Sequence, residues 1–370
     1  MNKVKLESIH FLWCPVTQQK LSPISDKTLE RINTSIKNQY LYYYDGRKVE
    51  EPLESGFVNE TNSLVYPIKM GIILVVKSFA IIMDTEKINI NTNDDFYKSI
   101  VKNFYDDIGW TQEADNNFKD AKLFEDLREV SQNYISNCRL RINKHIKKSG
   151  QYLLDVASGP IQYDEYLTFS NNYDYRICVD ISFQALRQAR NKLGENGIYI
   201  LGDVTELPIR ENTMDAVISL HTIYHVHKDQ QEQVFRELYR VLKSNSTAVI
   251  VYSWGWHSML MNIALLPIRI IRALKRIKHI VTRNLIRRKV LNKSAGLYFY
   301  VHNYKWLQQR NFPFSVELKV WRSLHTNFLK LYIHKNLFGK QFLNFIWKLE
   351  EKYPKFVGRI GAYPMFIIKK

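Results

Sequence analysis

Cysteine is scarce in this 370-residue chain, where only Cys14, Cys138 and Cys178 occur, widely scattered. Three such residues exclude a disulfide framework and a four-cysteine zinc site, and they fit a reducing, cytoplasmic setting. Long apolar runs are missing as well. The longest, residues 71–83, is interrupted by Lys77, so no membrane-spanning helix is expected. Residues 1–10 mix charged and apolar side chains without the apolar core of a signal peptide, and none is expected. Acids are outnumbered: 36 Asp and Glu against 53 Lys and Arg leave a net charge of +17. That excess predicts attraction to an anionic partner, whether nucleic acid, phospholipid surface or phosphorylated metabolite, without choosing among them.

What is present is the balance of a folded chain, 45% hydrophobic and 24% charged, which excludes disorder and collagen-like repeats. At ~150 residues per domain the length suggests two to three domains. Residues 1–85 read as a small β-rich unit, with a strand-like run at 9–14 broken by Pro15 and a terminal hairpin from 63–67 and 71–76. Residues 86–148 read as a helical cover, with Phe96, Ile100, Phe104, then Leu123, Leu127, Val130 and Tyr134 near a 3.6-residue spacing. Over 149–255, β-like runs at 152–157, 175–181, 198–202, 216–220 and 247–252 alternate with helical segments, including 232–242. Such alternation predicts an α/β fold, a parallel sheet with helices on both faces and right-handed crossovers. Residues 256–296 form a basic insertion. Between 256 and 293 there are ten Lys or Arg and no acid, while Leu265, Ile268, Ile271, Leu274, Ile277, Ile280 and Leu285 fall at helical spacing. Residues 297–370 add a helix at 304–311, a strand at 314–320, helix over 327–353 and a last strand at 363–368.

The strongest chemical signal is Leu153-Leu154-Asp155-Val156-Ala157-Ser158-Gly159, an apolar strand delivering an acid into a turn of small residues. Small residues let the backbone approach a ligand closely, at the strand end where open α/β sheets bind their ligands. Asp180 ends the next strand 21 residues after Gly159, at the spacing where a carboxylate meets ribose hydroxyls, and Asp203 ends the one after. Each acid alone is as well explained as a helix cap or a solvated strand end. Together, at three successive strand ends, they point to a ligand.

These residues resemble the class I S-adenosylmethionine-dependent methyltransferases of the small-molecule type. The likeness runs through Leu154 to Gly159, Val179-Asp180-Ile181-Ser182, Gly202-Asp203-Val204 with Leu207-Pro208, Met214-Asp215-Ala216-Val217 and Glu237-Leu238-Tyr239-Arg240-Val241-Leu242-Lys243. It implies a Rossmann-like seven-stranded sheet and S-adenosylmethionine as cofactor, released as S-adenosylhomocysteine. It also implies a cofactor site, which includes Asp155 and Ile181, in which Ala157, Ser158 and Gly159 contact the methionine portion and Asp180 the ribose hydroxyls. Asp203 and Val204 would then face the adenine, with Ser219 and Leu220 beside them. The chain departs from the family at Ala157, Pro160, Ile161 and Gln162, where glycines are usual, and at Ser244-Asn245, which replaces Pro-Gly. The missing Gly-x-Gly counts against a dinucleotide, whose pyrophosphate needs closer backbone approach.

Methyl transfer asks the protein mainly to align a nucleophile and, for an oxygen, to accept its proton. Just past the fourth strand stand His221, Tyr224, His225 and His227. Imidazole suits a general base, and His221 or His225 is the candidate, with Tyr224 beside them; simple packing is the competing explanation. A metal held by these histidines is not expected, because their spacing lacks a carboxylate. Tyr105 and Trp110, in Phe104-Tyr105-Asp106-Asp107-Ile108-Gly109-Trp110, resemble lid segments of related enzymes, and His302 is a weaker pocket candidate.

Residues 12–17 with 64–68 and 71–72 resemble the small zinc-ribbon-like activator domain of certain tRNA and protein methyltransferases. Thr17 stands where that family has its second cysteine, so only the scaffold is implied, without zinc. The basic insertion reads three ways: a solvated face, a peripheral membrane helix, or an RNA contact. The expected function is methyl transfer to a specialised metabolite, sugar or lipid-linked acceptor, with tRNA or rRNA methylation and non-catalytic cofactor binding as rivals.

Overall fold

The structure, a computed structural model, describes Leu6 and residues 9–83, 124–268, 270–271 and 298–370. In the N-terminal unit the short strands β1 (Leu21–Pro23), β2 (Tyr42–Tyr43), β3 (Gly56–Asn59), β4 (Leu64–Lys69), β5 (Ile72–Leu74) and β6 (Ile81–Ile82) accompany the helix α1 (Asp26–Lys37). Ser25 caps α1 through Thr28 N–H, and its apolar positions Ile32 and Ile36 are buried against Val65 and Ile81. The expected hairpin is β4–β5, turning through Met70 and Gly71, both at positive φ as a two-residue turn requires. Residues 9–14 form no regular strand. They make isolated bridges, Leu12 to Ile209 and Trp13 to Lys20, because Pro15 and the turn after it end the pairing.

α2 (Glu129–Leu140) leads into β7 (Gly150–Val156), α3 (Asp164–Leu167), β8 (Tyr173–Asp180), α4 (Phe183–Leu193), β9 (Gly197–Leu201), β10 (Met214–Leu220), α5 (Gln231–Val241) and β11 (Leu242–Val251). Then come α6 (Met259–Ala264), α7 (Tyr304–Gln308), β12 (Val316–Arg322), α8 (Thr326–Tyr332), α9 (Gly339–Lys352), α10 (Pro354–Ile360) and β13 (Tyr363–Lys369). The continuous helix expected over 327–353 is thus two, broken where Phe338 takes a left-handed backbone and Gly339 packs against His334.

The strand runs are apolar almost throughout because both faces of this sheet are covered. On one face Leu154, Val179, Ile200 and Val217 meet Val234, Phe235 and Leu238 of α5 and Phe11 and Leu12 of the N-terminal unit. On the other, Leu153, Ala216, Val249 and Ile367 meet Tyr134, Ile135 and Cys138 of α2 and Leu343 of α9. The strand order is β1-β3-β4-β5-β9-β8-β7-β10-β11-β13-β12, a mixed, Rossmann-like α/β sheet of 13 strands once β2 and β6 are included. The expected seven-stranded sheet is therefore embedded in a larger one. β5 lies parallel to β9, Ile72 to Leu74 beside Tyr199 to Leu201, and welds the N-terminal unit onto the sheet edge. The order reverses between β7 and β10, both parallel, and at such a switch point the strand ends open a crevice.

Candidate active site

A cavity of about 670 Å³ occupies that crevice. Asp155, Ala157, Ser158 and Gly159 line one end with Asp180 and Ile181, Asp203 and Val204, and Leu220. The turn after β7 alternates left-handed residues, Ala157 (φ 55°), Gly159 (φ 56°) and Ile161 (φ 54°). Two of these carry side chains, so an alanine and a buried isoleucine adopt backbone that glycine takes without strain. Hydrogen bonds hold the turn: Ala157 N–H donates to Val179 O at 2.7 Å, and Lys192 Nζ donates to Ile161 O at 2.6 Å.

Asp180 clamps two loops together. Its Oδ2 accepts from Gly159 N–H at 2.9 Å and its Oδ1 from Ser182 N–H at 2.8 Å. Each carboxylate oxygen offers more than one acceptor site, so the group can still receive hydroxyl donors from the cavity. Asp203 Oδ1 accepts from Thr205 N–H at 2.8 Å and Thr205 Oγ1 at 2.7 Å, which folds the turn after β9. Asp155 is different. Its carboxylate is forked by the buried Arg176, whose Nε donates to Oδ2 at 3.1 Å, and burial raises its pKa more than Arg176 lowers it. It shapes the turn from beneath. Ser219, the other residue expected here, is not among the lining side chains: strand alternation puts it on the Val217 face, buried, while Leu220 packs toward the α2 face and reaches the cavity.

The opposite end is built around His221, whose left-handed backbone (φ 61°) turns the chain after β10. Its ring stands edge-on to Trp321 and Tyr363, with centroids 4.5 and 5.4 Å away. Burial, reinforced by the neighbouring Arg322 guanidinium, pushes this imidazole down to about 3. His225 lies 2.9 Å through Nδ1 from Tyr298 O, so Nδ1 carries the proton and Nε2 is the basic nitrogen; burial holds the ring at about 4. Tyr224 packs on His225 at 4.6 Å. His227 sits at the rim, stacked on Tyr298. His302 falls outside the lining: it lies flat on Trp306 at 4.0 Å, with Nε2 3.2 Å from Lys228 O. Tyr105 and Trp110 lie outside the described residues, as does most of the basic insertion.

Five residues here were not anticipated: Glu125, Arg139, Trp321, Arg322 and His325. Glu125 receives both terminal nitrogens of Arg322, at 2.9 and 3.0 Å, and Arg139 approaches the same carboxylate at 3.5 Å. Burial alone would raise the Glu125 carboxyl, but Arg322 and then Arg139 hold it below the usual carboxylate range. His325 accepts from Asn327 N–H at 3.2 Å, stacks on Tyr363 and is held at about 4 by burial and by Arg322. The nitrogens Trp321 Nε1 and Arg322 Nε, both buried, make no hydrogen bond. A charge ending a strand, as at Asp155 and Asp180, was the signal for Arg322; Glu125 offers none. Among the described residues no group of three or more His, Cys, Asp or Glu is placed to hold a metal ion.

Residues 154–250 match the family described as "Methyltransferase domain". The sterol 24-C-methyltransferase of Schizosaccharomyces pombe is 29% identical over 177 residues, 43% of this chain and 43% of that protein. The chain thus spans under half the length of that curated relative. Phosphoethanolamine N-methyltransferase 1 of Haemonchus contortus, solved with phosphoethanolamine and S-adenosylhomocysteine, has a TM-score of 0.44 at 10% identity, covering 78% of this chain and 51% of that one. A Haloferax volcanii complex of the Trm112 methyltransferase activator with a methyltransferase gives 0.42 at 12% identity, covering 75% and 98%. Residues 154–250 thus form an S-adenosylmethionine-dependent methyltransferase domain, and the family match carries that assignment.

Proposed function

We propose that this chain transfers a methyl group from S-adenosylmethionine to a small-molecule acceptor held at the histidine end of the cavity. One observation carries the reading. A single cleft joins three strand-end carboxylates to a pocket floored by buried aromatic and basic side chains, and its volume of about 670 Å³ suits a cofactor with a modest acceptor. Asp180 fits ribose hydroxyls, Ile181 and Val204 fit the faces of an adenine, and the left-handed turn of Ala157 to Gly159 leaves room for the methionine portion. The altered glycines do not weaken the fit, since Ala157 and Ile161 still adopt the left-handed turn.

When bound, the cofactor supplies an electrophilic methyl group on sulfur. The chain's own residues then position and deprotonate. Trp321 and Arg322, which line the acceptor end beside His221, shape the wall against which the acceptor rests. His225 Nε2 accepts the nucleophile's proton. A base held near 4 is weak, yet it suffices for an oxygen that becomes strongly acidic once methylated. His221, held lower still, contributes a neutral wall.

The aromatic lining and the sterol substrate named for the curated relative support a lipid-like or lipid-linked acceptor over RNA, whose support is the overall charge and the resemblance of the N-terminal unit to activators of tRNA methyltransferases. The N-terminal unit, by resemblance an activator-type scaffold, braces the sheet through β5. The deciding experiment follows labelled methyl from S-adenosylmethionine into host extract separated into metabolites, lipids and RNA. Label in metabolites or lipids is expected; label in RNA replaces the acceptor class, and no label despite cofactor binding leaves a non-catalytic binder.

A further inference from the structure

Soluble surfaces rarely expose many large apolar side chains together. Here they concentrate on one side. In the turn into α9 and along it, Leu337 (69% exposed), Phe338 (74%), Phe342 and Phe345 stand out, followed by Tyr353 and Phe356. The spacing from Phe338 to Phe342 to Phe345 is four and then three residues, so these rings share one helical stripe. The stripe continues across α8, where Phe328 lies 4.8 Å from the Tyr332 ring and 6.5 Å from Phe342. Tyr332 OH donates to Ala264 O at 2.7 Å, which joins α8 to α6. There Met259 and Ile263 are exposed one turn apart, with Leu266, Ile270 and Ile271 beyond them.

Charge frames this face with mostly one sign, the exception being the exposed Glu129, which pairs with Lys340 at 2.8 Å. Between residues 326 and 360, Lys330, Lys335, Lys340, Lys348, Lys352, Lys355 and Arg359 are all exposed. The acids of that span are Glu350, buried and bonded to Arg141 and Ser323, and Glu351, held by Arg141 and Lys144. The face also borders the cavity mouth. Phe124, exposed, lines the cavity, and its carbonyl accepts from Thr326 Oγ1 at the start of α8.

We propose that the α6–α8–α9 face docks on a bilayer carrying anionic headgroups, with the cavity mouth turned toward the lipid. Exposed aromatic and aliphatic side chains rimmed by lysine are the pattern of an interfacial surface: the apolar part enters the acyl boundary while the cations meet the headgroups. A second copy of the chain fits poorly, because a two-fold contact would press this lysine-rich rim against itself. The surface takes in the first part of the basic insertion, residues 259–271, and its docking is read without any turnover, so it stands or falls separately from the acceptor proposed above.

The test is co-sedimentation of the full chain with vesicles of phosphatidylcholine alone and of phosphatidylcholine mixed with phosphatidylglycerol. Binding to the mixed vesicles is expected, weakening as salt is raised. Phe338→Ser with Phe345→Ser should reduce it at least about tenfold. Lys348→Glu with Lys355→Glu should reduce it while leaving the melting temperature and the affinity for S-adenosylmethionine unchanged. Three results overturn the proposal: no binding to mixed vesicles, binding that both variants retain, or a dimer in size-exclusion chromatography that the phenylalanine variant dissolves in the absence of any vesicle binding.

Discussion

The two ends of the cavity are made by different means. At the carboxylate end, the turns after β7, β8 and β9 are shaped by near neighbours in sequence, and among the bonds described above the longest reach is the 31 residues from Lys192 to Ile161. At the histidine end, Glu125 meets Arg322 across 197 residues, and His221 packs on Tyr363 from the last strand. The first end is a property of one βαβ succession. The second exists only when the whole chain is folded, and its chemistry depends on charges brought out of water together.

That contrast is sharpest at Arg322. Arg322→Met leaves the Glu125 carboxylate buried without its fork, and a loss of ~3–5 kcal/mol in urea unfolding is expected. Adding Glu125→Gln should return part of it. A loss no larger than that of an exposed substitution would mean that the pair does not hold this end together.

Asp180→Ala probes the other end. It removes the acceptor for two backbone N–H groups and, at the proposed cofactor site, for ribose hydroxyls, so the dissociation constant for S-adenosylmethionine in calorimetry should rise at least about tenfold. Trp321→Phe should leave that constant unchanged and raise the KM for the acceptor.

Acid separates the ends as well. The His221, His225 and His325 imidazoles are depressed in the folded chain, to about 3, 4 and 4, against 6.5 in the unfolded one. As pH falls below that unfolded value, the unfolded state takes up protons that the folded state refuses. The stability these rings permit is therefore whole above 6.5 and is lost as pH drops toward 4. His225→Gln should flatten the slope of stability against pH by ~1.4 kcal/mol per pH unit in that window. An unchanged slope would show that His225 is not buried neutral.

The smallest effect is expected at Ala157→Gly. A left-handed alanine costs ~1–2 kcal/mol, and glycine's greater unfolded freedom returns ~0.5–1 kcal/mol of that, so a net gain of ~0.5–1 kcal/mol should appear in thermal unfolding.

The same contrast explains what the sequence made legible. The five strand runs of the central sheet and the α5 crossover were readable because each is a local pattern, apolar throughout or amphipathic at 3.6 spacing, and the observed elements contain or nearly contain them. Asp180 and Asp203 were readable because strand ends are local too. Arg322 also ends a strand and carried the same local signal, but Glu125, Arg139 and His325 did not, since nothing near them in sequence records which side chains they will meet. His302 misled for the same reason: an aromatic neighbourhood predicts a pocket and a stacked surface equally, and Trp306 decided between them. Helix α1 passed unread because its polar sequence shows only a narrow apolar stripe, Ile32 and Ile36.

The parallel pairing of β5 with β9 also sets an order of events during synthesis. Ile72 to Leu74 leave the ribosome more than a hundred residues before Tyr199 to Leu201, their partners along one edge. Until those partners arrive, the β4–β5 hairpin presents an unpaired edge and the buried side of Ile72 and Ile73 to its surroundings. The N-terminal unit is thus made before the strand that completes it, and its closing step carries the high loop-closure cost of a non-local contact. During that interval, rather than in the finished protein, this chain is most exposed to mispairing, and slower translation before residue 197 would lengthen it.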